Sequence, residues 1–207
     1  TIPTLEIGRK EIENAKIKLY ASAPAIEGKK IVLLYPGGGL LPIRAWPLDY
    51  YCRLAAELLH KGYAVGIIGL ADDKDVAEVI LSHNRNQSCV DLTGYTKTIR
   101  ELMTIFHFSA LLITNDGGPG HFAAMTPIPS IIFYGPETPT LYGAMNENAV
   151  NYYLNFSCSP CVTAYNHRKS PCDGDNLCLK NIQPEKVLAR AIEILEGEMF
   201  EKNAQNP

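Results

Sequence analysis

No apolar run in the 207-residue sequence approaches the roughly 18 residues that a membrane-spanning helix needs. No charged start, apolar middle and small-residue cleavage site marks a signal peptide. Charge of one sign is not in excess either. The 19 Lys and Arg against 22 Asp and Glu leave a net charge of −3, with no long run of like charge. A generic nucleic-acid binder carries a basic face, and its absence removes nucleic acid from the expected partners. A phosphate loop ending in G-K-[ST] is missing. The dinucleotide fingerprint G-x-G-x-x-G is incomplete, because Gly37-Gly38-Gly39 runs on into Leu40-Leu41-Pro42 and no helix opens there. Kinase-type chemistry and nicotinamide cofactors are both disfavoured. There is no internal repeat and no low-complexity segment. The first residue is Thr1 rather than Met, so a processed product or a piece of a longer protein is expected.

What is present is an ordinary globular composition, 46% hydrophobic and 20% charged, long enough for one sizeable core. Continuous apolar runs read as buried strands at Lys30–Tyr35, Tyr63–Gly69, Cys89–Leu92, Ala110–Thr114 and Pro129–Tyr134. Helical patterns fall between them, at Gly8–Ala21, Pro47–Leu59, Asp72–Leu81, Thr98–Phe108, His121–Met125 and Glu185–Leu195. Lys61-Gly62 closes the second of these in the usual C-terminal manner. Regular alternation of strand and helix predicts an α/β fold, a Rossmann-like parallel sheet with helices on both faces. The expected organisation is an N-terminal helix and connector over 1–29, one domain over 30–197 with a Cys-rich loop at 155–181, and a tail at 198–207.

The most informative stretch is Asn115-Asp116-Gly117-Gly118-Pro119-Gly120-His121, at the end of a strand and the start of a short helix. Ligands bind at the carboxyl ends of strands in open α/β sheets. Glycines let backbone approach a ligand closely, and free N–H groups at a helix start attract phosphate. Pro119 suits the first helical turn. A plain turn needs one glycine and has no need of Asp116 and His121 as well. The Gly37-Gly38-Gly39 loop lies at the same sheet edge, with Arg44 seven residues after Gly37. Together the two loops are able to enclose a diphosphate, with Arg44 as a forked donor. Arg44 taken alone also reads as a solvated loop residue.

Five passages occur in order: Tyr35-Pro36-Gly37-Gly38, Arg44-Ala45-Trp46-Pro47, Asp91-Leu92-Thr93-Gly94, Asn115 through Ala124, and Phe133-Tyr134-Gly135-Pro136-Glu137-Thr138-Pro139. Their combination resembles the C-terminal half of the heptosyltransferase-like glycosyltransferases, family 9, over roughly Lys30 to Pro139 and more loosely to Leu195. The resemblance implies a GT-B architecture whose C-terminal domain binds a nucleotide-diphosphate sugar, commonly ADP-heptose. It implies donor-binding roles for Gly37, Gly38, Arg44, Asp116, Gly117, Gly118 and His121. Arg44 stands where the family often has Lys before Trp-Pro. Asp116, Gly118 and His121 fill the family's D-[ST]-G-x-x-H motif, and Gly117 departs from it by replacing Ser or Thr. Met125-Thr126-Pro127-Ile128-Pro129 likewise replaces a more usual Ala-Gly-x-Pro. The acceptor-binding N-terminal domain, with its catalytic acid, would occupy about 150 further residues. The catalytic base is therefore unknown, and this chain is expected to be a donor-binding half that lacks its acceptor domain. Asp116 and His121 would orient the donor and stabilise charge on the leaving diphosphate.

Of six cysteines, Cys52 and Cys89 fall in a predicted helix and strand and read as small buried hydrophobes. Cys158, Cys161, Cys172 and Cys178 cluster with spacing C-x2-C-x10-C-x5-C. They are consistent with a structural Zn²⁺ site, with free oxidisable thiols, or with two disulfides; His167 is an alternative ligand. No cofactor is expected to be required for catalysis. Trp46 reads as an anchor for the helix after it or as a ligand wall. Tyr134 reads as facing the donor cleft or as simply ending its strand, and Glu137 as a residue within reach of donor sugar hydroxyls.

The functional expectation is a sugar, heptose by resemblance, passed from a nucleotide sugar to a glycan or glycolipid acceptor of lipopolysaccharide type. It would take place in the cytoplasm, at the inner face of the membrane. The competing expectation is a non-catalytic nucleotide-sugar-binding or interaction domain of the same fold. A zinc enzyme is disfavoured, since four Cys ligands leave the metal no open position.

Overall fold

The computed structural model describes residues 3–39, 41–144, 147–166, 169–172 and 174–197. The expected tail at 198–207 and the alternative ligand His167 lie outside the described residues. Six strands form one sheet: β1 (Ile31–Tyr35), β2 (Ala64–Gly69), β3 (Cys89–Thr93), β4 (Leu111–Asn115), β5 (Ser130–Tyr134) and β6 (Ala149–Tyr153). The helices are α1 (Arg9–Ser22), α2 (Leu48–His60), α3 (Lys74–Asn84), α4 (Ile99–Phe106), α5 (Gly118–Ala123), α6 (Pro139–Tyr142), α7 (Leu177–Lys180) and α8 (Pro184–Glu196).

The strands run in the order β3-β2-β1-β4-β5-β6, and every pairing is parallel. The central strands β1, β4 and β5 are buried along their whole length, which is why their sequences show no polar alternation. The pleat divides β1 between two cores. Val32 and Leu34 pack with Tyr51, Leu54, Leu58, Ile80 and Val187 from α2, α3 and α8. Ile31, Leu33 and Tyr35 pack with Leu19, Ile105, Phe106 and Ala123 from α1, α4 and α5. Helices therefore cover both faces, as the alternation implied. Helix α4 begins where the sequence carries a capping box: Thr98 Oγ1 accepts from Glu101 N at 3.1 Å, and Glu101 Oε2 accepts from Thr98 N at 3.3 Å. Gly62, at φ +90°, supplies the turn between α2 and β2.

Two features differ from the sequence expectation. Strand β6 follows the strand at Ser130–Tyr134, where no further strand was expected. It is an edge strand with no buried position, Asn151 being exposed and the rest half-buried, so its residues lack the apolar continuity of the central strands. The short helices α6 and α7, four residues each, were also not anticipated, being too short for a helical period to show.

The order places β1 and β4 side by side in the sheet although the chain leaves them in opposite directions. Loops after such neighbours diverge and open a crevice at the carboxyl edge. Here one buried side chain ties the two loops together. Asn115, at the end of β4, donates from Nδ2 to the carbonyls of Pro36 and Gly37, each at 2.9 Å. Its Oδ1 accepts from Trp46 N at 2.9 Å and lies 3.0 Å from the Tyr51 hydroxyl. Trp46 is held in turn by Nε1 donating to the Ile182 carbonyl at 2.9 Å and by stacking on Phe133 with ring centroids 4.5 Å apart. Trp46 is an anchor, 1% exposed, and forms no ligand wall.

Truncating Asn115 leaves buried carbonyls and a buried N–H without partners, each costing about 1–3 kcal/mol. Asn115→Ala should therefore lower stability by about 3 kcal/mol or more in urea unfolding. A loss below about 1 kcal/mol would show that the loops do not depend on this amide.

Candidate functional site

Each strand end contributes one polar group to the crevice. Asp116 follows β4 directly, and its N–H donates to the Phe133 carbonyl at 3.0 Å, which fixes the backbone of the glycine loop against β5. Glu137 lies on the loop after β5. Arg44 ends a 3₁₀ turn, Pro42–Arg44, between the first glycine loop and α2. The structure brings the three together. Arg44 Nη2 is ion-paired with Glu137 Oε2, and Arg44 Nε lies 4.0 Å from Asp116 Oδ2. His121, on α5, places Nε2 3.9 Å from Asp116 Oδ1 and is half exposed. Asp116 and Glu137 are buried, at 6% and 3% exposure.

One guanidinium facing two buried carboxylates is one charge short of balance if both acids ionise. Asp116 is accordingly pushed up to about 7. Burial is the main cause; hydrogen bonding to Glu137 and that residue's charge add to it, and Arg44 works against it. Arg44 Nε and Asp116 Oδ2 are buried and have no hydrogen-bond partner among the described residues. The Tyr134 hydroxyl, buried on β5, is raised first by burial and then by the Asp116 charge, so it stays protonated. That side chain belongs to the core edge of the site.

The glycines divide by what a side chain would meet. A Cβ on Gly38 would lie 2.8 Å from the Pro42 Cα and 2.9 Å from the Leu41 carbonyl, so the loop itself excludes any larger residue. A Cβ on Gly37 would press on Asp73 and the Tyr35 ring. Gly117 has φ 173°, extended backbone open to any residue, and its nearest neighbour to a Cβ is 3.7 Å away. The absence of a hydroxyl there is thus not imposed by the fold. Gly118 would meet the Phe122 ring at 3.3 Å. Beside Gly118 lies a cavity of about 340 Å³, walled by Tyr35, Ile68, Leu102, Pro119 and Phe122 with Lys97 and Thr98 at its polar side. Leu70 and Ile99 stand at its mouth, 73% and 52% exposed.

The four clustered cysteines share a second cavity of about 340 Å³ with Asp175 and Asn176. Cys178 is buried, Cys161 and Cys172 are half-buried and Cys158 is exposed. Burial, then the charge of Cys161, pushes the Cys178 thiol up to about 11, with weaker contributions from Cys158 and Cys172. No disulfide joins cysteines among the described residues. Nor, among the described residues, do three or more His, Cys, Asp or Glu side chains stand in an arrangement that could hold a metal ion.

Sequence reasoning gathered Gly37, Gly38, Arg44, Asp116, Gly117, Gly118 and His121 at one edge, and the structure places all seven there. It missed the part of Asn115, whose role lies in contacts with residues 69 to 79 positions away in sequence. It assigned Glu137 toward sugar hydroxyls, whereas the side chain is turned onto Arg44.

The profile of glycosyltransferase family 9 (heptosyltransferase) matches residues 4–170. Lipooligosaccharide heptosyltransferase 2 of Haemophilus ducreyi is 29% identical over 153 residues, covering 72% of this chain and 44% of that protein. The Haemophilus influenzae protein of the same name is 31% identical over 137 residues, 64% of this chain and 39% of the relative. The chain thus spans less than half the length of these curated relatives. Among solved structures, Escherichia coli ADP-heptose lipopolysaccharide heptosyltransferase II superposes with a TM-score of 0.78 at 24% identity, over 96% of this chain and 55% of that one. This likeness establishes the fold, a GT-B-type half.

Folded Asp116 holds its proton to about pH 7, while an unfolded Asp releases it near pH 3.9. Between those values the folded chain binds more protons, so this residue's contribution to stability is lost as pH rises. Asp116→Asn cannot titrate. Its melting temperature should therefore gain on the wild type between about pH 4 and about pH 7, the window these two values define. A difference that stays constant across that range would show that Asp116 does not titrate there.

Proposed function

The chain belongs to glycosyltransferase family 9, and we propose that it is the donor-binding half of a glycosyltransferase. In this reading it binds a nucleotide-diphosphate sugar, with ADP-heptose as donor, for transfer to a lipopolysaccharide-type glycan or glycolipid acceptor. One observation carries the reading. Arg44, Asp116 and His121 converge between two glycine loops at the β1/β4 crevice, beside an apolar cavity. The nucleoside lies in that cavity, where Leu70, Ile99 and Phe122 offer flat apolar contact. The diphosphate spans the glycine loops. Its charge draws Arg44 from Glu137, while Asp116, pushed up to about 7 by burial, holds its proton more tightly than a free carboxyl group does. As the sugar–oxygen bond breaks, negative charge grows on the diphosphate. Arg44 and His121 face that charge from fixed positions, which lowers the barrier more than it tightens donor binding. Gly37, Gly38, Gly117 and Gly118 let the backbone approach.

Support for the donor comes from the ADP-heptose named for the E. coli structure, and for the acceptor from the lipooligosaccharide named for the Haemophilus relatives. The acceptor site and the catalytic base belong, in this reading, to a second domain of a longer enzyme. No helix among the described residues is long and apolar enough to cross a membrane. We place the enzyme in the cytoplasm, at the inner face of the membrane, where nucleotide sugars and lipid-linked acceptors meet. The second reading is a binding domain of this fold without transfer chemistry. Gly117 favours it, since a hydroxyl that the fold has room for is absent.

A ligand at 100 times its dissociation constant stabilises a fold by about 2.7 kcal/mol. ADP or an ADP-sugar at millimolar concentration should therefore raise the melting temperature of the chain. His121→Ala should weaken that binding about tenfold or more, as loss of one charge-assisted contact does, and leave the melting temperature of the free chain within about 1 °C. Gly117→Ser should tighten binding without loss of stability. No thermal shift with any nucleotide diphosphate or diphospho-sugar would sink the donor-site reading.

Donor, acceptor and base must be held in one geometry for transfer. The 207-residue chain, assayed alone with ADP-heptose and a lipid A-core acceptor, should transfer no sugar. Measurable turnover would mean that base and acceptor site both lie within it.

A further inference from the structure

Two groups have a claim on the Arg44 guanidinium. In the structure it is ion-paired with Glu137, and in the donor-site reading a diphosphate takes it. Both residues are held by their backbones. The loop of Glu137 is pinned where the Pro136 carbonyl accepts from Cys161 N and Val162 N at 2.9 and 2.8 Å. The Ser159 hydroxyl bonds the Gly135 carbonyl, and Thr138 Oγ1 accepts from Thr140 N at 3.3 Å. On the other side, Arg44 N donates to the Leu41 carbonyl at 2.9 Å, and Asn176 Nδ2 donates to the Ile43 carbonyl at 2.8 Å. With both backbones tied, the guanidinium moves on its own side chain, and the short Glu137 side chain cannot follow it.

Glu137 is buried, and the charged or titratable groups that face it are Arg44, the Asp116 carboxyl group and the Tyr134 hydroxyl. Among the described residues its one ion pair is with Arg44. A buried carboxylate parted from its partner is left uncompensated, which is far less favourable than parting an exposed pair. Ligand binding at Arg44 therefore works against a restoring pull. That pull matters most after transfer. The leaving oxygen keeps the electron pair of the broken bond, so the terminal phosphate gains a second ionisation, near pH 6. The product carries more negative charge than the donor and holds a guanidinium more strongly.

Resting on the donor-site reading, we propose that Glu137 is an internal competitor of the bound diphosphate: it recaptures Arg44 and drives departure of the nucleoside diphosphate that transfer leaves behind. It acts through Arg44 without touching the ligand, as a positioning residue. Its charge, its burial and its reach are all used. An uncharged side chain has no pull, and a shorter acid has charge without reach.

The test is ADP binding to the chain, with affinity from calorimetry and dissociation from stopped flow. Glu137→Gln should tighten ADP binding about tenfold, through slower dissociation. Glu137→Asp keeps the charge and loses reach, so it should tighten binding to a lesser degree, and it carries the test if the Gln variant folds poorly. Adenosine, which has no phosphate, should bind all three forms alike. In an Arg44→Gln background, Glu137→Gln should change ADP affinity by less than about twofold, because nothing remains to compete for. The full effect persisting there would show plain charge repulsion and overturn the competition. Phenylglyoxal, which labels unpaired guanidinium groups, should modify Arg44 faster in both Glu137 variants, read on its peptide by mass spectrometry. Equal labelling would overturn the proposal without any nucleotide. Unchanged or weaker ADP binding in the variants, with the wild type still binding ADP, would overturn it and leave the donor-site reading standing. Absence of ADP binding from every form would overturn both.

Discussion

The Asn115 carboxamide is the constraint on which the rest of this site depends. A parallel sheet delivers β1 and β4 to adjacent positions but leaves the loops beyond them free to part. Backbone pairing stops at Tyr35 and Thr114, and nothing in the sheet ladder holds Pro36 and Gly37 near Asp116. The amide uses both of its donor directions on the first loop and its acceptor on Trp46 and Tyr51. A carboxylate of the same shape could accept but not donate, and an apolar isostere could do neither. Through Trp46 the same network reaches Phe133 and Ile182, so the approach to α2, the end of β5 and the start of α8 are set by one buried group. Because it is buried and fully used, the loops meet a ligand already positioned.

That preorganisation explains why Arg44 can be half-buried, with a buried Nε, and short of partners. In water, a guanidinium beside two carboxylates would simply be solvated. Here 17% exposure of its side chain leaves little solvent to substitute for a missing contact. The pairing with Glu137 satisfies one edge of the fork, and Nε faces Asp116 at a distance too long for a hydrogen bond. Buried polar atoms left without partners are rare in folded proteins and gather where a ligand is to supply the contact. An anion arriving at Arg44 meets a neutral trio rather than a negative one as long as Asp116 holds its proton. The raised Asp116 affinity for that proton thus suits the binding of diphosphate, and the cost is a carboxylic acid held neutral inside the fold.

Much of the fold was legible in sequence because its central strands are buried on both faces. Ile31 to Tyr35, Leu111 to Asn115 and Ser130 to Tyr134 stand out as apolar blocks, and glycine or proline ends each block. The helical pattern over Thr98–Phe108 became α4, whose start the structure shows to be capped by Thr98 and Glu101. β6 was not legible, because Asn151 faces out and its other residues are half-buried, which leaves no contrast to read. Of the site, residue types and motif order pointed to Arg44, Asp116 and His121. Neither Asn115 nor Glu137 could be assigned in that way. Asn115 acts on backbone groups and on Trp46 and Tyr51, and Glu137 acts on Arg44 from a loop more than ninety positions on. Contacts of that range leave no period and no spacing in the chain.

The two glycine loops show why residue type alone does not separate structure from function. Gly38 and Gly117 look alike in sequence, each inside a glycine run at a strand end. Gly38 is boxed by the Pro42 and Leu41 backbone, so its lack of a side chain is a condition of folding. Gly117 is extended and open, so its lack of a side chain is a property of the site and not of the fold. Any account of what this chain binds must therefore explain Gly117 chemically. A missing hydroxyl beside a diphosphate removes a donor that backbone N–H groups can replace only if the ligand sits closer to the loop. The open space at Gly117 permits that closer seat, and the raised proton affinity of Asp116 next to it lessens repulsion of the approaching anion.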